Sequence, residues 1–384
     1  MIPTSTTTTR PTASRTASLR GRPNFYRTYA QEIALFNTRP KLLGAALLIA
    51  VAVAMPFVLS DTLLETFAIA FVFAIGALGL NMVTGLAGQV SLGHAFFMGV
   101  GAYTAAAISG DPEGRTIGYG ITFLPLWMLA AGLVAGVAGA LIAPLATRLR
   151  GLYLAIVTLG LVFLGEHIFE KWTELTGGEG VGREAAVPEI FGYVFSEDSD
   201  FFTAEQNLYL LMLVLLLIFA LFARNLARSK IGRAFAAVRD RDVAAEMMGI
   251  NLARTKMLAF AVSSFYAGCA GALLYTIIGF FDPGSFNLLL SVQFIAMILI
   301  GGAGTVSGAI MGALFVSLLP TLTREVPNYV PFISQQVTVT PNVFQLESIL
   351  YGLLIVVFLL FEPRGLFGIW VRFRTYWKSW PFSY

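Results

Sequence analysis

The stretch Arg224–Lys256 reads RNLARSKIGRAFAAVRDRDVAAEMMGINLARTK, and it decides how the rest of the chain is laid out. Apolar runs flank it on both sides, and it holds eight of the chain's 25 Lys and Arg residues. A basic island between apolar runs is a loop kept on the cytosolic side of a membrane, because Lys and Arg bias orientation. Between Ile231 and Gly249 basic residues alternate with Ala, Val and Met. Asp240 and Asp242 can cap a short helix and favour its positive N-terminal end. Gly249 can close that helix, since Gly takes a left-handed conformation without steric penalty. The spacing predicts a short helix from Val243 to Met248, projecting from a membrane domain. From charge alone, a basic loop that only fixes topology fits as well.

Composition agrees with a membrane domain. The chain is 57% hydrophobic and 12% charged, the balance of a multi-span protein. Its apolar runs suit helices and lack the alternation of a membrane barrel. The single Cys269 excludes an intrachain disulfide and a Cys-rich metal site. Two His residues add no metal cluster.

Residues 1–40, rich in Ser, Thr and Arg, read as a disordered cytosolic basic tail. A membrane domain follows over 41–362, and an interfacial tail over 363–384 brings Trp and Phe together with Arg and Lys. Ten spans are expected, at 41–60, 63–83, 91–109, 121–147, 151–169, 206–223, 257–281, 288–302, 305–322 and 346–361. With both termini inside, 21 of the 25 Lys and Arg fall in the inner segments. Arg115, Lys171, Arg183 and Arg324 remain outside, and a shift of one span near the middle would put basic clusters on both faces. The acidic insert 170–205 then faces outward, either as a solvated loop or as a docking surface for an external partner.

Two stretches are poor generic lipid-facing helix. Gly79–Ala106 reads GLNMVTGLAGQVSLGHAFFMGVGAYTAA and brings Asn81, Gln89, Ser91 and His94 to the membrane. Polar groups there must be paired or face a cavity. Gly301–Leu314 reads GGAGTVSGAIMGAL, and Gly304, Gly308 and Gly312 form a small-residue packing stripe. The two stretches echo each other. Gly85-x-Ala87-Gly88-x-Val90-Ser91 matches Gly301-x-Ala303-Gly304-x-Val306-Ser307, through duplication or through convergence on a tight turn.

The first of these stretches, with LTGG at 175–178, GRAFAAVRDRDVAAEMMGIN at 232–251 and EPRGLFG at 362–368, resembles the LivM-type membrane subunits of bacterial ABC importers for branched-chain amino acids. The resemblance covers most of the chain after residue 40. It implies an all-α integral membrane protein of about ten spans with a type-II-like importer fold. It also implies a second homologous permease, two cytosolic ATP-binding subunits, an extracytoplasmic substrate-binding protein and a place in the bacterial cytoplasmic membrane. Asp240, Asp242, Ala244, Ala245, Glu246, Met247, Met248 and Gly249 would then form the ATPase coupling segment, although Val243 stands where the signature of such loops carries Glu.

A substrate pathway is expected past Gln89, Ser91, His94 and Glu166, each of which packing or an interfacial turn explains as well. No P-loop, GxSxG or HExxH motif occurs, so the chain has no ATPase site of its own, no catalytic residues, no cofactor and no nucleic-acid partner. The solute remains open between branched-chain or related amino acids and urea or short amides. An ion-coupled secondary transporter would need paired mid-span charges, which are scarce here, and a non-transporting scaffold would use the same polar residues for packing.

Overall fold

The long apolar runs become helices because hydrocarbon leaves no water for unpaired backbone groups. The computed structural model describes residues 39–149, 151–178, 180–185, 188–199, 201–324, 342–362 and 364–379. Most of the expected tail 1–40, together with residue 363 and residues 380–384, lies outside the described residues.

The apolar helices come in chain order. They are α1 (Arg39–Ala54), α2 (Asp61–Leu80), α3 (His94–Ser109), α4 (Leu124–Arg148) and α5 (Leu152–Lys171). A four-residue α6 (Thr173–Thr176) sits in the insert, and α7 is Ala204–Arg228. After the basic loop come α10 (Leu252–Ile278), α11 (Leu288–Gly301), α12 (Val306–Arg324) and α13 (Val343–Phe361). Among the described residues, six helical segments are long and apolar enough to cross a membrane: Asp61–Leu86, Leu124–Leu145, Leu152–Lys171, Ala204–Arg228, Leu252–Ile278 and Val306–Thr323. Leu42–Phe57, Leu288–Gly301 and Gln345–Phe358 are apolar but shorter.

The chain divides into two units, Met1–Val51 and Ala52–Tyr384. The first contains most of α1. The second is organised around α10, with 72% of its apolar window buried, the most among the six spanning segments. Small residues explain this. A Cβ on Gly101 of α3 would fall 2.2 Å from the Gly268 carbonyl oxygen, and one on Gly271 would fall 2.0 Å from that of Met98. Only Gly at these positions lets α10 and α3 meet backbone to backbone, the kind of contact that holds helices together in lipid. Cys269 faces α4, where its thiol donates to the Met128 carbonyl at 3.6 Å.

The insert folds into a small cap. Strand β1 (Arg183–Glu184) pairs antiparallel with β4 (Phe280–Phe281), while β2 (Glu189–Ile190) and β3 (Tyr193–Val194) form a hairpin. Arg183 is buried and donates to the carbonyls of Leu175 and Ile117, both at 2.7 Å, and to that of Ala106. Burial pulls its guanidinium below its usual pKa, and the nearby Tyr275 opposes that pull.

Two sequence boundaries shift. The third span was expected from 91, but α3 starts at His94, since residues 87–93 are a turn followed by irregular chain. Ahead of this break α2 runs on into a π turn, Asn81–Leu86, whose wider hydrogen-bond spacing composition does not signal.

Candidate functional site

The basic loop holds two helices, where the sequence suggested one. Helix α8 (Lys230–Asp240) starts at Ser229, whose Oγ accepts from the N–H of Ile231 at 3.1 Å and of Gly232 at 3.3 Å. Phe235 and Val238 are buried along one face of α8, at the three-residue spacing of a helix. Helix α9 (Asp242–Met247) follows after an extended Arg241. Neither aspartate is its N-cap. Asp240 ends α8 and pairs with Arg239 at 3.1 Å, with both side chains substantially exposed. Asp242 opens α9, and its Oδ1 accepts from Val243 N at 2.9 Å. Gly249 closes the turn with φ +83° and donates its N–H to the Glu246 carbonyl at 2.9 Å.

The free surface of α9 combines Glu246 with an apolar tip. Ala245 is buried, Ala244 and Glu246 are exposed, and Met247 and Met248 are 85% and 84% exposed. Two adjacent exposed methionines next to Val243, 62% exposed, form an adaptable apolar tip.

Behind this tip, α8 reaches the two glycine breaks. Arg239 Nη1 donates to the Gly85 carbonyl at 3.1 Å. Its stem leaves so little room that a Cβ on Gly88 would fall 2.7 Å from Arg239 Cγ. The breaks also bind each other. Asn81, fully buried, accepts at Oδ1 from Gly304 N at 2.7 Å and donates from Nδ2 to the Thr305 carbonyl at 3.1 Å. The echo therefore marks two breaks in contact, and Gly88 and Gly304, at the same place in each copy, have φ of +68° and +81°. Helix α14 (Gly365–Ser379) completes the junction. Gly365 packs against the Ile300 carbonyl, and Arg364 and Phe367 lie against Gly302. Three of the four sequence motifs, at 79–106, 232–251 and 362–368, thus meet at one place.

The stripe expected at Gly304, Gly308 and Gly312 divides. Gly304 lies in the break, ahead of α12. Gly308 and Gly312 lie on α12 and meet α11, where a Cβ on Gly312 would fall 1.8 Å from the Met297 carbonyl oxygen.

The four expected pathway residues stand in three surroundings. Gln89 lines a pocket of about 300 Å³ with Gly88, Arg239, Asp240 and Lys256, beside the loop. Ser91 and His94 are buried. Ser91 Oγ accepts from Gly93 N at 3.3 Å, while the His94 ring lies 4.6 Å from that of Phe294 and leaves Nε2 without a protein partner. Glu166 is half-buried on α5, next to Gly165, which packs on Phe96. Sequence reasoning noted Asn81 only as a polar group in the membrane, and gave Arg239 no role beyond its charge. LTGG forms the knot of the cap instead: Gly177 and Gly178 have positive φ, and the Gly177 carbonyl accepts from Arg115 at 2.7 Å.

A helical, multi-pass membrane protein with a junction of helix breaks beneath an exposed loop is the class that these features define. The chain belongs to the family described as branched-chain amino acid transport system / permease component, which matches residues 62–359. It is 32% identical to the high-affinity branched-chain amino acid transport system permease protein LivM of Escherichia coli over 347 residues, covering 86% of this chain and 75% of that protein. LivM of Salmonella typhimurium matches with the same identity and coverage. LivH of E. coli, a permease of the same kind of system, is 24% identical over 65% of this chain and 81% of its own length. No solved structure matches the chain.

Proposed function

We propose that this protein is a permease subunit of an ATP-driven importer that moves branched-chain or related amino acids across the bacterial cytoplasmic membrane. It has ten spans in a type-II-like arrangement, with both termini in the cytosol. It pairs with a second homologous permease, receives solute from an external binding protein, and is driven by two cytosolic ATP-binding subunits rather than by a site of its own. The basic character of 224–256 and the scarcity of Lys and Arg between the other spans support this orientation.

The observation that carries the reading is the link from the exposed tip of α9, through α8 and Arg239, to both glycine breaks. A docked ATPase that moves the tip would move the breaks with it, and helix breaks are where bundle helices change angle. The coupling segment 240–249 is thus the input and the junction is the first receiver. Gln89, beside Arg239, and the buried Ser91 and His94, on the irregular stretch and α3 that follow, would be carried by the same movement, and Glu166 lines the path further out.

The test is a double substitution, Met247→Asp with Met248→Asp. Charges at this tip oppose apolar docking, so the ATP-binding subunits should be lost on co-purification, or leucine uptake should fall while ATP hydrolysis continues. Normal assembly together with normal uptake would remove the coupling role.

A further inference from the structure

A cleft of about 280 Å³ lies between α2, α11, α12 and α13, away from the junction and from every residue that the sequence suggested. It is graded in polarity. Thr62, Glu65, Thr66 and Thr321 line one end, near the helix termini, while Ile69, Phe73, Met297 and Val316 line the other. Gln293 and Ser317 sit between these ends, and Ser317 Oγ is buried with no hydrogen-bond partner. Glu65 is the one charged side chain among the lining residues. Phe73 also walls a second, apolar pocket of about 170 Å³, formed with Leu274, Phe281, Phe286 and Leu290.

Polar groups on three apolar helices are costly against lipid and mark a cavity or a solute path. An unpartnered buried hydroxyl is a further cost, one that a ligand with a hydrogen-bonding group removes. The volume is just under the lower bound of ordinary ligand pockets, roughly 300 Å³, so a solute of a few heavy atoms suits it. In the proposed orientation α2 and α11 run inward and α12 runs outward, which puts the polar end at the outer face and the apolar end near mid-membrane.

We propose that this cleft receives the solute from outside, and that the solute is a small zwitterion with an aliphatic tail. The Glu65 carboxylate takes its ammonium group at the mouth. Gln293 and Ser317 donate to its carboxylate. The tail turns inward against Ile69, Phe73, Met297 and Val316. The reach of each interaction is short and replaceable, as a transit site requires. This inference deepens the importer reading and rests on its orientation.

The experiment uses the assembled transporter in lipid, with Cys269→Ala as the parent and Thr321→Cys as the reporter at the mouth. Thiol reagents of similar size but opposite charge, a cationic and an anionic methanethiosulfonate, are compared. The cationic reagent should react about fivefold faster, a modest effect of one nearby carboxylate. Glu65→Gln should abolish that preference, and millimolar leucine should slow both reagents. Thr62→Cys replaces the reporter if Thr321→Cys does not assemble. Silence toward both reagents at both positions, a preference that survives Glu65→Gln, or reaction that leucine does not slow would each overturn the assignment. Leucine uptake by the parent separates the two levels: without uptake of any branched-chain amino acid the importer reading itself fails, and with uptake only the cleft is at stake.

Discussion

Gly85→Ala sets two effects of opposite sign against each other. Gly85 lies in the π turn with an ordinary negative φ, so Ala adopts the same backbone there. In an exposed helix the change stabilises by about 1 kcal/mol, because Gly loses more chain entropy on folding. At Gly85 the new methyl would fall 2.4 Å from Gly304 N and 2.1 Å from Asn81 Oδ1. The first of these is backbone and cannot rotate away, so the two breaks must part by about 1 Å to reach ordinary contact. Overpacking of this kind costs about 1–3 kcal/mol. Parting also weakens the two Asn81 hydrogen bonds, each contributing about 1 kcal/mol. Gly304 and Thr305 are half-buried, so water recovers part of that loss. The net expectation is a destabilisation of about 1–4 kcal/mol, read as a lower melting temperature in detergent, with reduced uptake per ATP hydrolysed. Gly160→Ala on α5 is the control, since nothing lies within 4 Å of its added methyl. Its melting temperature should hold or rise. If Gly85→Ala melts with the control and transports normally, the breaks are not in the contact described.

Arg239→Ala removes one hydrogen bond and one exposed ion pair, so the melting temperature should change little; uptake at a given ATP hydrolysis rate should drop severalfold, and undiminished uptake would take Arg239 out of the coupling path. Gly308→Leu places carbon where a Cβ already stands 2.5 Å from the Gly302 carbonyl oxygen, so the yield of folded protein in detergent should collapse; an unchanged melting curve would turn that face toward lipid. Arg183→Met removes three hydrogen bonds to carbonyls, one buried and two part-buried, at a cost of about 1 kcal/mol each. Hydrogen exchange should then rise across the cap residues 175–185 and 280–286, and unaltered protection there would mean that the cap does not depend on Arg183.

Spans were legible where apolar runs are long and bounded by charge, as in α7 and α10. Their ends were less so. Residues 91–93, Ser-Leu-Gly, carry no charge and no Pro to mark a break, and only the backbone shows the turn that delays α3 to His94. Helix α8 left a trace that was not used: Ile231, Phe235 and Val238 have helical spacing within a stretch read for its charge. The junction was legible only in pieces. Each motif is visible alone, but their meeting depends on contacts between residues far apart in the chain. The polar cleft was hidden for the same reason, since its six polar residues come from segments around 62, 293 and 317 and make no local pattern.

Asn81 also sets a schedule. Its partners Gly304 and Thr305 follow it by 223 and 224 residues, so the side chain enters the membrane long before they exist. At a synthesis rate of about 5–20 residues per second the wait is roughly 10–45 s. Throughout that interval a primary amide sits in a glycine-rich helix end with no native acceptor, a condition that insertion machinery or a chaperone must tolerate. Chains that stop short of residue 304 never leave it, so the clasp that joins the two breaks also separates finished chains from truncated ones.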